Sequence, residues 1–538
     1  MKINRSLMVL GVTSVAVLVL GTLGFYRYQP DHGWLTAFYQ ALQLFSLESG
    51  VVDDPPTPLL LEIARWLALG ALLGVVYATV TAVLRHFRSA LRIASMKGHN
   101  VVCGAGKRGY EIASALCRQP ARGVVVVEID ENAPTVGELR NIGVELVFGN
   151  ALDSTVLKKA GVARAAALVA VTGSDEKNLA ICSEVEKRLN AQCILSAGVE
   201  SLAWRSYFMD RLPHESKIRL DSYQSRAARS LMLEIACEAC RDRNIQRRGI
   251  RLLIEADGQF RDELLRAAAV MLQISGDTRP VVDLTNTTEE EVVAFEERFP
   301  GTPLVIELNW HRHGACRAFR EGDNAHHDFA VFARCHDAAT LEAADRFLMR
   351  HGNDPARVYA CLSSEMQMFE TGSIRRQDHD FNIRNLFALG LGKIDPLETD
   401  IEKTAIKCHS IYWANERAKD PGYNKLPLDW SLLSERYREG NRLAAMHHKV
   451  KRHIWATRLE GENPDMLDFL SRCEHMRWMA EKAMDGWRWS GSHDPESRNN
   501  KKLLHHLMVP YDALNRLEKD KDCNAFLWAL DPALAADE

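Results

Sequence analysis

The sequence predicts a composite fold: a membrane α-helical hairpin at the front, α/β units in the middle and an all-α module at the end. Three observations predict it. Two long apolar stretches stand before residue 90. Short apolar runs then alternate with helix-like segments from about 100 to 390. After Gly392 the chain becomes helical in pattern and rich in Trp, His and Arg.

With 538 residues there is room for about three or four compact domains. Charged residues make up 26% and the formal net charge is −4, so composition gives no reason to expect a nucleic-acid partner. The 12 cysteines are scattered. The one close pair, Cys237 and Cys240, sits in a helix-like stretch, and His311, His313, Cys316, His326 and His327 make no recognised zinc spacing. No metal is expected.

From Ser6 to Tyr26 the chain is apolar apart from small hydroxyl residues, long enough to cross the hydrocarbon core of a bilayer as a helix. A cleaved signal peptide is the rival, but no small-x-small site follows, and it leaves a second uncharged stretch, Leu67 to Leu84, unexplained. Lys2 and Arg5 precede the first span, and Arg85, Arg88, Arg92 and Lys97 follow the second. The connection carries Asp31, Glu48, Asp53 and Asp54. The positive-inside rule therefore expects an inner (plasma) membrane protein with two spans and both termini cytoplasmic.

Between the spans, Trp34 to Leu47 is apolar but too short to cross, which marks a candidate re-entrant helix at about 34–50. Ser46, Glu48, Ser49 and Gly50 at its end are the candidate pore residues. The ThrValGlyTyrGly filter of potassium channels is absent, so potassium selectivity does not follow, whereas a ring of Glu48 carboxylates favours cations. An amphipathic helix lying on the outer surface is the non-conducting alternative.

Residues 98–225 read as strand–helix alternation and hence as a parallel sheet covered on both faces. Val101–Cys103 is a buried strand, after which Gly104, Ala105, Gly106, Lys107, Arg108 and Gly109 open a helix. A second strand ends at Glu128 and Asp130. A lone G-x-G-x-x-G is a weak signal. Placed between strand and helix, with an acid about 20 residues on, it is a dinucleotide-binding pattern. Gly104 makes the tight turn, Gly106 admits the phosphates, Gly109 permits close helix–strand packing, and Glu128 takes the ribose hydroxyls. Since that carboxylate repels a 2′-phosphate, the expected cofactor is NAD(H) or an adenine nucleotide.

These stretches, with GlyAsnAlaLeuAsp at 149–153 and ThrGlySerAspGluLysAsn at 172–178, resemble the TrkA-N/RCK family, whose domains regulate potassium channels and transporters by binding nucleotides or ions. The resemblance implies that Asn150 and Ala151 flank the adenine side and that the loop holding Thr172 and Asp175 lies over the phosphate crevice. Glu128 departs from the family's usual Asp.

Residues 226–395 repeat the rhythm faintly, with strands expected at 250–254, 279–284, 303–308, 329–333 and 358–362. Only Gly258 stands where a glycine-rich turn would be. A second, degenerate RCK-like Rossmann unit with an assembly role is expected. In the remainder, 396–538, the segments 473–483, 486–491 and 501–514 resemble the helical RyR (ryanodine receptor repeat) domain. Its Trp478, Trp487, Trp489 and Tyr511 beside Arg488 and Lys501 form a possible second ligand site, since stacking and anion pairing suit a nucleotide-like ligand. The alternative is that these aromatics pack a small helical core.

Together these readings predict a ligand-gated, cation-conducting homo-oligomeric channel, a tetramer by expectation, with a small nucleotide ligand and no catalytic residues. The mixture of domains suggests an antiviral-defence role. The rivals are a membrane-anchored regulatory subunit of a separate transporter and an NAD-dependent enzyme.

Overall fold

The computed structural model describes residues 5–46, 57–118, 123–189, 193–209, 211–213, 215–315, 327–351, 357–363, 373–376, 379–391, 397, 399–457 and 464–530. The chain divides into two compact units, Met1–Ser95 and Met96–Glu538.

The first unit is helical: α1 (Arg5–Tyr28), the short α2 (Gly33–Gln43) and the long α3 (Leu59–Ser95). Met8–Tyr28 and Leu59–Val80 are long and apolar enough to cross a membrane. The second apolar helix thus starts well before Leu67. Its first turns tolerate Glu62 and Arg65 because they pair with each other at 3.0 Å, and the Thr57 hydroxyl donates to Glu62 at 2.8 Å. Small residues bring the helices together. A Cβ on Gly24 would lie 2.9 Å from the backbone nitrogen of Leu61, and one on Gly21 would lie 3.0 Å from the Ala41 Cβ. Val17, Ala37, Ala41, Leu61, Ala64 and Ala68 form the apolar interior, while Val12, Val15, Leu35, Tyr39 and Trp66 face outward. Outward apolar side chains are what lipid or a neighbouring protein covers.

Among the described residues, the second unit holds two large sheets and one two-stranded pair. The first comprises β1 (Asn100–Cys103), β2 (Val124–Glu128), β3 (Glu145–Phe148), β4 (Ala167–Ala170), β5 (Ile194–Gly198) and β6 (Ile218–Asp221), all parallel in the order β3-β2-β1-β4-β5-β6. Both faces are covered, so β1 and β4 are buried throughout and read as unbroken apolar runs. Reversal of the strand order between β1 and β4 is the doubly wound switch point, where such sheets open a crevice at their carboxyl edge.

The second sheet has the same logic. β7 (Arg251–Ala256), β8 (Val281–Leu284), β9 (Glu307–Trp310), β10 (Phe329–Ala333), β11 (Arg357–Leu362), β12 (Ser373–Arg376) and β13 (His379–Asn385) run in the order β12-β13-β11-β10-β7-β8-β9, with only β12 antiparallel. The strand expected at 303–308 lies later in the chain. Thr302–Leu304 is instead a 3-10 turn with Pro303 in its first positions, and pairing begins only at Glu307, because proline offers no amide to a ladder. β12 and β13 escaped the sequence reading because their residues are mainly polar.

The region after 396 is built from Thr399–Lys419, Glu435–Thr457, Pro464–Ala483 and Arg516–Leu530. It is not wholly helical: Arg488–Trp489 and Leu504–His505 pair as two short parallel strands. Its helices do not keep a separate core. Val450, Ile454, Leu470 and Met479 share one apolar cluster with Leu252 and Ile254 of β7 and Phe329 of β10.

Candidate nucleotide-binding crevice

The loops after β1, β2, β3 and β4 meet at the carboxyl edge of the first sheet, and the glycine turn is its centre. Gly104 has φ +107°, and a Cβ there would lie 2.8 Å from the Val171 carbonyl oxygen, so only glycine fits. Gly109 packs on the same turn: its Cβ would fall 1.8 Å from the Gly104 oxygen. Gly106 differs. Its φ is −63°, nothing lies within 4 Å of a Cβ built there, and it caps the helix α4 (Lys107–Cys117) without a side-chain hydrogen bond. A helix start without a side-chain cap beside open space is what an anion seeks, since first-turn amides and the helix dipole both favour negative charge.

Glu128, at the tip of β2, turns its carboxylate inward. It accepts from the amides of Ala105 at 2.5 Å, Ile129 at 2.8 Å and Asp130 at 3.0 Å. The side chain thus braces the glycine turn, with about one of its four acceptor sites left for a ribose hydroxyl. Asp130 accepts from the Asn132 amide at 2.9 Å. Asn150 holds its own turn by accepting from Leu152 N at 3.0 Å, and Ala151 beside it is buried. The Thr135 hydroxyl, which sequence reasoning missed, donates to the Ala105 carbonyl and ties the turn from the far side.

The Thr172 loop is held by another residue not singled out from sequence. The Asn178 side-chain oxygen accepts from both the amide and the hydroxyl of Thr172, each at 2.8 Å, and its amide donates to the Gly198 carbonyl at 2.7 Å. Asp175 does not reach over the crevice. Its two oxygens accept from the amides of Glu200 at 3.1 Å and Ser201 at 2.8 Å. Arg108 is likewise drawn aside, to Glu200 at 2.8 Å and over the Tyr223 ring at 5.5 Å. Glu200 attracts it because that carboxylate also gathers the Ser222 hydroxyl and the Tyr223 amide. Lys107 donates to the Ser363 carbonyl at 3.1 Å, joining the turn to the second sheet.

The corresponding edge of the second sheet is filled by side chains. Arg334, just after β10, pairs with Glu255 at 2.7 Å and Asp257 at 3.0 Å. Glu255 also accepts from the Ala315 amide at 2.7 Å, and Asp257 from the Cys335 amide at 2.9 Å. Two carboxylates at the switch point repel a phosphate, which gives the loss of the glycine turn a second physical basis.

Of the pore candidates, Ser46 closes a short turn after α2 and donates to the Gln43 carbonyl at 3.1 Å. Glu48, Ser49 and Gly50 lie outside the described residues. The six residues of the possible second ligand site separate. Trp487 and Tyr511 are buried, and Trp478 stacks on His475 and meets His505 edge-on. His505 also meets Trp487, and His475 meets Tyr511. These rings pack on one another, with Arg498 over Trp487 and Arg472 over Tyr511. Trp489, Arg488 and Lys501 remain exposed. Among the described residues, no group of three or more His, Cys, Asp or Glu is placed to hold a metal ion. Asp283 does draw together His311 at 2.8 Å and His327 at 3.0 Å, a juxtaposition the sequence spacing concealed.

Fold and crevice define a class: a doubly wound nucleotide-binding domain on a chain that also carries two helices apolar enough for a membrane. Residues 100–203 match the TrkA-N domain, and this stretch is a TrkA-N domain. Homology extends to potassium-transport proteins. Potassium channel protein 1 of Methanocaldococcus jannaschii is 28% identical over 207 residues, covering 36% of this chain and 60% of that protein. A Trk system potassium uptake protein TrkA homolog of Archaeoglobus fulgidus is 41% identical over 79 residues, covering 15% of this chain and 17% of that protein. The chain thus spans less than two thirds of the length of these relatives. A solved GsuK channel aligns with 72% of this chain and 96% of its own at 14% identity and a TM-score of 0.38, a likeness too loose to carry an argument.

Proposed function

We propose that this chain is a ligand-gated membrane ion channel that conducts cations and responds to NAD(H) or an adenine nucleotide. The observation that carries this reading is the open, uncapped turn at Gly106 in a TrkA-N domain on the same chain as a tightly packed helical hairpin. The aligned potassium channel relative adds support, because its 207 matched residues run beyond the TrkA-N stretch. In this mechanism a homotetramer arranges the hairpins around one pore, with both termini in the cytoplasm. Nucleotide in the crevice favours one geometry of the cytosolic ring, and α3 transmits the change. Gating follows only if open and closed rings bind the nucleotide with different affinity. The chain performs no catalysis. An antiviral-defence role fits a channel that depolarises the membrane on a nucleotide signal.

The test is cation flux into liposomes holding the purified protein, against NAD, ADP, ATP and cyclic nucleotides. Nucleotide-dependent flux altered by Glu48→Ala supports the reading. Absence of flux under every ligand overturns it. The TrkA homolog match favours a second reading, a membrane-anchored regulatory subunit of a separate transporter. Nucleotide binding without flux, together with co-purification of a transporter, would establish that instead.

A further inference from the structure

A cleft that opens to solvent lies within the second unit, away from the glycine turn. Its walls come from the helices Leu202–Met209, Tyr223–Ala239 and Gly258–Met271 and from the C-terminal helices Glu435–Thr457 and Pro464–Ala483. Four arginines line it, and three have close carboxylate partners. Arg205 pairs with Glu263, Arg229 with Glu439 at 2.5 Å, and Arg436 with Asp485 at 2.5 Å. Arg266 does not. Its nearest carboxylate oxygens, on Glu263 and Asp485, stand at 3.7 and 3.6 Å, beyond hydrogen-bond distance. Its Nε is buried with no partner, while the side chain is only 21% exposed. The Phe299 ring, 5.8 Å from the guanidinium, supports it from one side.

A guanidinium carries five donors in a rigid fork that suits a carboxylate or phosphate. One held in a cleft without a hydrogen bond is a demand for an acceptor from outside the chain. The remaining walls specify the rest of the ligand. Met209, Leu220, Val270, Met271, Leu443 and Met484 offer an apolar and adaptable surface. Glu263, Glu439, Glu481 and Asp485 match the four arginines in number, so the cleft has no surplus positive charge for a polyanion. We infer that it binds an organic anion with one negative group and an apolar body. Such a ligand joins the C-terminal helices to the helix Leu202–Met209, which connects β5 to β6 of the first sheet, and this makes the cleft an effector site separate from the nucleotide crevice.

The test is calorimetric titration of the full-length protein in detergent with three probes. Diphenyl phosphate and benzoate each carry one negative charge on an aromatic body, as phosphodiester and carboxylate, and benzamide is the neutral counterpart. Saturable binding of either anion is expected, with affinity at least tenfold weaker in Arg266→Met, which keeps the apolar stem, and intermediate in Arg266→Lys. Which anion binds identifies the acidic group. The inference is overturned if neither anion saturates, if benzamide binds as tightly as benzoate, or if Arg266→Met binds unchanged. An unaltered melting midpoint shows that each variant is folded. NAD titrated into Arg266→Met should retain wild-type behaviour, so failure of the crevice reading and failure of this one are separable.

Discussion

Gly106→Ala separates a nucleotide crevice from a turn that is merely well packed. At φ −63° and ψ 180° the backbone suits alanine, and the added methyl meets nothing within 4 Å. Alanine is the poorer N-cap, by up to about 1 kcal/mol. The less flexible unfolded chain returns about 0.4–1 kcal/mol. Stability should therefore change by no more than about 0.5 kcal/mol, a shift of roughly 2 °C or less in melting midpoint for a unit of this size. Binding should respond differently, because the methyl stands where the backbone must approach the phosphates. NAD affinity should fall at least tenfold, about 1.4 kcal/mol. Gly109→Ala is the counterpart. Its methyl would meet the Gly104 oxygen at 1.8 Å and carbonyl carbon at 2.8 Å, both backbone atoms that no rotamer change can move. Over-packing of this type costs about 1–3 kcal/mol, so this variant should lose several degrees of melting midpoint as well as binding. Calorimetry with NAD and thermal unfolding of the full chain in detergent measure both quantities. If Gly106→Ala bound NAD as tightly as the unaltered protein, the assignment of phosphates to this turn would be refuted.

Glu128→Ala removes the acceptor for three amides, should cost about 1–3 kcal/mol, and should narrow any preference for NAD over NADP; parallel titrations with the two cofactors check it. Glu474→Gln breaks a buried cluster in which Lys451 lies at 2.6 Å and Arg477 at 3.0 Å, and should destabilise by about 3–5 kcal/mol. Adding Lys451→Met to that variant should restore part of the loss, and a denaturant series that shows no recovery counts against the pairing. Acid sensitivity should come from the helix Glu435–Thr457. Burial, reinforced by Lys451, pushes His448 down to about 3, and His447 beside it is also lowered, first by burial. Between the unfolded value of about 6.5 and the folded one, the unfolded chain takes up a proton that the native site refuses. Stability is therefore full above about pH 6.5 and falls on acidification by up to about 1.4 kcal/mol per pH unit for each such histidine. Denaturation midpoints at neutral and mildly acidic pH should show this slope, and His448→Gln should flatten it; an unchanged slope in that variant assigns the effect elsewhere.

What the sequence determined by itself was whatever depends on local backbone constraints. The glycine turn was legible because Gly104 needs a left-handed φ and Gly109 a missing Cβ, and no other residue supplies either. β1, β2 and β4 were legible because parallel strands covered on both faces leave unbroken apolar runs. The apolar helices announced themselves by length and hydropathy.

Only the tertiary structure decided where charged and aromatic side chains point. Arg108 stood within the dinucleotide-binding turn, but Glu200 lies 92 positions away and takes it. The second glycine-poor crevice looked merely degenerate until Arg334 was seen between Glu255 and Asp257. The aromatic residues after 470 looked available for stacking, yet Trp487 and Tyr511 meet neighbouring histidines edge-on and already have Arg498 and Arg472 over their rings. The C-terminal helices looked autonomous, yet they complete the core beneath β7 and β10. Periodicity reports which face of an element is buried. It carries no record of which distant partner will reach that face, and a long charged side chain goes to the partner that best offsets its desolvation.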